Sequence, residues 1–111
     1  MPPDPSLLAR LRAELETYPN VAEKKMFGGV VFIVNGHLAL GIHGDEVIVR
    51  TTPEVASEAL KQAHVRVFDL GAWPLKGWLL VRAQACTSTQ ALRRWMQTSL
   101  KFAGSLPAKS K

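Results

Sequence analysis

Cysteine is almost absent from this chain, with Cys86 alone among 111 residues. One thiol excludes an internal disulfide and fits a reducing compartment, so a cytoplasmic setting is expected. Long hydrophobic runs are missing as well. The longest, Val30 to Val34, falls far short of the roughly 20 residues a membrane helix needs, so no membrane partner is expected. The opening Met-Pro-Pro-Asp-Pro lacks the basic-then-apolar order of a secretory signal. Acidic residues are the minority, nine against fourteen Lys and Arg, for a net charge of +5. That balance points towards anionic partners. It is softened by position. Lys109 and Lys111 lie in a Ser/Pro/Lys tail, and without them twelve basic side chains face nine acidic ones.

The motifs of common chemistries are also lacking. Gly28-Gly29 fits neither the GxGxxG nor the GxxxxGK[ST] phosphate-loop pattern, and a strand rather than a helix follows it. A bend or bulge between strands is the plainer assignment. His37, His43 and His64 show no helical HxxxH spacing and no nearby cysteine pair, so no metal site is expected. Cys86 stands just before a helix start, where a dipole favours a thiolate, but no base or oxyanion donor accompanies it in the sequence. A small buried thiol is the simpler expectation. There is no G-x-S-x-G elbow, and Glu54 and Glu58 read as an exposed helix face. Neither an enzyme nor a cofactor is expected.

What the sequence does contain is clear local grammar. Asp4 caps a helix with Pro5 at its first position, and Leu7, Leu11, Leu15 and Tyr18 recur at helical spacing until Pro19-Asn20. Lys24 to Phe27 reads as a short strand and Val30 to Val34 as a buried one. Asn35-Gly36 is a strong hairpin signal, because a type I′ turn needs positive φ at both central positions. Leu38, Leu40 and Ile42 then alternate, and His43-Gly44-Asp45 turns the chain into Glu46 to Arg50. Thr51-Thr52-Pro53-Glu54 starts a second helix, predicted to run to about Gln62. His64 to Leu70 and Gly77 to Ala83 read as strands, with Gly71-Ala72-Trp73-Pro74 as a loop. Thr87-Ser-Thr-Gln90 has the form of a capping box. The last helix sets Leu92, Trp95, Met96, Ser99 and Ala103 along one stripe and is predicted to stop at Gly104. The order is α-β-β-β-β-α-β-β-α. Hairpin-linked strands imply an α+β fold: one antiparallel sheet of five to six strands with helices mainly on one face. The domain is expected to cover residues 1–104, followed by a flexible basic tail, 105–111.

Candidate contacts come from basic side chains interleaved with aromatic ones. On the strands and loops they are Lys24, Lys25, Arg50, Arg66, Trp73, Lys76 and Arg82. On the final helix Arg93, Arg94 and Lys101 form a basic face opposite the apolar stripe. Phosphate contact is one use of such a face and simple solvation is the other. Most of the other rings are expected in the core, with Trp73 beside Pro74 the best candidate for an exposed ring.

Several segments together resemble the TfoX N-terminal domain family. They are Lys25-Met26-Phe27-Gly28-Gly29, Phe32, Asn35-Gly36, Gly41 with Asp45, and Val49-Arg50. Lys76-Gly77-Trp78 with Val81, Trp95, and Ser105-Leu106-Pro107-Ala108-Lys109 follow in order. The resemblance covers the chain from the first helix to the tail and implies a stand-alone α+β domain with an antiparallel sheet. It also implies a link to regulators of competence (DNA-uptake) genes, and it brings no catalytic residues. Met26, Phe27, Gly28, Gly29, Asn35, Gly36, Gly77 and Trp78 are then expected to serve the fold. The expectation that follows is a non-enzymatic regulatory or binding module touching nucleic acid through its basic surface. The alternative is a protein-interaction domain, a homodimer through a sheet edge or Trp73 included.

Overall fold

The computed structural model describes residues 4–18, 20–26, 28–70 and 73–106, with the backbone alone described for 69, 70 and 73–76. Three helices and six strands follow the predicted order: α1 (Pro5–Leu15), β1 (Val21–Met26), β2 (Gly29–Val34), β3 (His37–His43), β4 (Glu46–Arg50), α2 (Pro53–Ala59), β5 (Val65–Leu70), β6 (Trp73–Arg82) and α3 (Thr89–Ser105). A single 3-10 turn, Ala83–Cys86, precedes α3. The strands form one sheet in the order β1-β2-β3-β4-β6-β5, every neighbouring pair antiparallel. This is the α+β architecture the hairpin signals imply.

Local chemistry accounts for the element ends. Asp4 accepts the Ser6 N–H with Pro5 at the first helical position, and Thr52 accepts the Val55 N–H ahead of α2. Asn35 and Gly36 carry φ of 53° and 85°, the pair of positive values a type I′ turn demands. Several boundaries depart from expectation: α1 ends at Leu15, before Pro19-Asn20, and β1 starts at Val21 rather than Lys24. The cap of α3 is Ser88, which accepts the Ala91 N–H, because Thr87 is still helical as the end of the 3-10 turn. Helix α2 ends at Ala59, and the chain to Gln62 tightens into bonds three residues back, Lys61 to Glu58 and Gln62 to Ala59. Gly104 does not stop α3, which continues to Ser105. Trp73 and Pro74 belong to β6, paired with Leu70 and Asp69. At that end β4 no longer flanks β6, so a proline lacking its N–H interrupts no interior ladder. Gly71 and Ala72 lie outside the described residues.

Side-chain alternation sorts the sheet into two faces. One face, with Val30, Phe32, Val34, Leu40, Ile42, Val47, Val49, Leu79 and Val81, packs with Leu7, Leu8, Leu11 and Leu15 of α1 and with Leu92, Trp95, Met96 and Ala103 of α3. Ser99 completes the buried stripe of α3. The opposite face holds a smaller cluster, Val31, Ile48, Phe68 and Leu80, with Leu38 and Trp78 against it. Burial on both sides explains why β2 reads as an unbroken apolar run rather than an alternating one.

Candidate functional site

The register places each basic side chain on a definite face. Lys24 lies opposite Val31 and Arg66 opposite Leu80, so both belong to the helix-free face, as does Arg82, which pairs with Glu46. Lys25 lies opposite Val30 and points to the helix side. Arg93, Arg94 and Lys101 are exposed on α3. The candidates therefore divide between the two sides of the sheet.

Several are already engaged. Arg66 grips Glu46 through two bonds, Nη2 to Oε1 at 2.7 Å and Nε to Oε2 at 3.1 Å. Arg93 donates to Glu14 at 2.7 Å and so ties α3 to α1. Arg50 is not a surface arm: its guanidinium lies between Trp78 and Phe102, 5.1 and 5.2 Å from the ring centroids, and donates to the Leu38 carbonyl at 3.1 Å. Its backbone N–H donates to Ser99 Oγ at 3.2 Å. Lys24, Lys25, Arg82, Arg94 and Lys101 form no ion pair with the described residues. The side chains of Trp73 and Lys76 lie outside the described residues.

Most of the motif residues that prompt the resemblance have structural settings. Gly28, at φ 75°, turns β1 into β2, and a Cβ on Gly29 would collide with the Ile42 carbonyl. Trp78 packs its ring on Phe68 and on Arg50. Met26, by contrast, is 42% exposed at the end of the edge strand, and Phe27 lies outside the described residues.

Two titratable groups give direct tests of these environments. The Arg66 guanidinium holds the Glu46 carboxyl below its usual range against the opposing cost of partial burial, and Arg82 and His43 add to the attraction. A depressed folded value stabilises the protein above the unfolded glutamate range, about 4.3, and that contribution disappears as the pH falls through the folded value. Glu46→Gln is expected to lose on the order of 1 kcal/mol at pH 7, because half of the pair is solvent-exposed. It is also expected to flatten the acid side of the stability profile in urea titrations from pH 3 to 7. An unchanged slope removes Glu46 from the acid response.

Burial pushes the Cys86 thiol up to about 11, with only a minor opposing influence from Arg10. The side chain is fully enclosed, so a dipole-activated thiolate is not what the fold builds. Native protein at pH 8 is expected to resist Ellman's reagent and to react completely in guanidinium. Rapid labelling of the folded chain contradicts this placement. Among the described residues, no group of three or more His, Cys, Asp or Glu side chains is arranged to hold a metal. No helix among them is long and apolar enough to cross a membrane.

The helical layer contains a feature the sequence reading missed. A groove of about 410 Å³ runs between α2 and α3, lined by Val55, Glu58, Ala59, Gln62, Ala85, Ala91, Arg94, Trp95 and Thr98. Three elements contribute an alanine each, so no longer side chain closes the gap. The only sequence signal is this smallness, which is silent until the three elements meet.

Among curated proteins, none matches the chain. The model of the TfoX N-terminal domain family matches residues 13–103, from the last turn of α1 to the last turn of α3. A match spanning the whole sheet, α2 and nearly all of α3, over a fold with the implied antiparallel order, makes this chain a member of the TfoX N-terminal domain family.

Proposed function

We propose that this domain is a non-enzymatic regulatory module that works by protein contact. The regulatory part rests on family membership, since the family takes its name from a regulator of competence genes. The preference for protein over nucleic acid rests on one observation. The basic side chains are divided between two faces, and Arg50, Arg66 and Arg93 are already occupied by rings or carboxylates. A phosphate-tracking surface needs several free cations along one groove. Self-association through the open edge of β1 is disfavoured by Glu23, Lys24 and Lys25, charges of the kind that guard edge strands.

The test has two parts. Titration with duplex and single-stranded DNA at rising salt is expected to show no more than weak binding, lost well below physiological ionic strength. Capture of partners from the cells that make the protein is expected to retain proteins after nuclease treatment. Tight DNA binding with a steep salt slope, or capture abolished by nuclease, overturns the proposal in favour of nucleic acid.

A further inference from the structure

The groove between α2 and α3 has a composition that specifies an occupant. Its apolar lining is made by Ala59, Ala85, Ala91 and the 9%-exposed Trp95, and Val55 on the α2 rim is left 44% exposed. The polar groups on its two walls are not equivalent. On α2, Glu58 is engaged by Lys61 at 3.1 Å. On α3, the Thr98 hydroxyl is spent on the Arg94 carbonyl, while the Arg94 guanidinium has no carboxylate partner among the described residues. Lys101, two turns further along α3, is exposed and also without an ion pair among the described residues. The groove thus offers an apolar trough beside uncompensated positive charge, on a chain of net charge +5. From Ala91 to Thr98 the α3 wall is about 10 Å long at 1.5 Å per residue, two helical turns.

We infer that this groove docks a short acidic amphipathic segment of a partner protein. Two apolar side chains one turn apart enter the alanine-lined trough, and a flanking carboxylate meets Arg94. Helix-in-groove recognition uses this i, i+3 or i+4 spacing, and the unpaired arginine sets the sign of the flanking charge. The inference rests on the protein-contact reading above and deepens it by naming the surface and the chemistry of the partner.

Selection of a displayed library of random 16-residue peptides on the full chain tests it. Selected sequences are expected to carry an excess of Asp and Glu around two apolar residues three or four apart. Ala91→Leu, which fills the trough from a half-buried position, is expected to weaken binding of the selected pool at least tenfold. Arg94→Glu, on an exposed position, is expected to do the same and to reverse the charge preference in a fresh selection. Thermal unfolding of both variants confirms that they fold, and Arg94→Glu keeps the test decisive should Ala91→Leu fail. A neutral or basic consensus, no enrichment, or equal binding by both variants overturns the inference. So does a concentration-dependent dimer that Ala91→Leu abolishes, which assigns the groove to a second copy. Failure here is separable from failure of the broader reading. If nuclease-treated capture still retains proteins and neither variant alters that set, the groove assignment falls and protein contact stands. If capture is wholly nuclease-sensitive, protein contact falls as well.

Discussion

Gly77→Ala is expected to lower stability by about 3 kcal/mol, a drop of roughly 15 °C in Tm for a domain of this size. Two costs combine. Gly77 sits at φ +82°, where an L-residue costs about 1–2 kcal/mol. A Cβ there would also collide with the carbonyl oxygen of Thr51, and relieving such overpacking costs about 1–3 kcal/mol. The neighbour cannot retreat easily, because the Thr51 N–H donates to the Gly77 carbonyl at 2.7 Å and Thr51 itself is buried. Gly104→Ala is the matched control. It lies within α3 with nothing within 4 Å of its would-be Cβ, and is expected to gain about 0.5–1 kcal/mol from helix propensity. Urea denaturation of the two variants checks both signs. A Gly77→Ala protein as stable as the parent contradicts the Thr51 contact.

Arg50→Ala should destabilise by a similar amount, about 3 kcal/mol. The change removes a guanidinium stacked on two rings, each worth about 0.5–2 kcal/mol, together with a charged hydrogen bond to the Leu38 carbonyl. Arg50 joins three parts of the fold: β3 through Leu38, β6 through Trp78 and α3 through Phe102. Arg50→Lys is expected to recover less than half of the loss, since an ammonium has no planar face to lie between two rings while donating sideways. Denaturation midpoints of the three proteins decide the matter. A change below about 0.5 kcal/mol in Arg50→Ala returns Arg50 to the pool of free surface cations. The expected result separates Arg50 from Arg94: loss of the first lowers stability, and loss of the second lowers partner binding with stability unchanged.

The elements of this fold were legible because their signals are local. The Asp4–Pro5 and Thr52–Pro53 caps, the Asn35-Gly36 turn and the Leu92–Ala103 stripe each depend on residues within a few positions of one another. Even the small errors have local causes, as where the 3-10 turn before α3 moves its cap from Thr87 to Ser88. The surroundings of the basic side chains were not legible in this way, because whether a cation is free depends on what the fold sets beside it. Arg93 meets Glu14 from 79 residues away, and Arg66 meets Glu46 from 20. No periodicity records such pairings.

The sequence by itself determined an α+β chain of nine elements in a stated order, without disulfide, long apolar run or recognised catalytic motif, and with a family pattern running its length. Only the tertiary structure decided that β6 enters between β4 and β5, that the Arg50 guanidinium lies over two rings, and that three alanines from α2, the 3-10 turn and α3 leave a groove beside Arg94. The physical reason is range. Backbone propensity and capping act over a few residues, whereas strand order, charge neutralisation and groove shape arise from contacts between segments far apart in the chain.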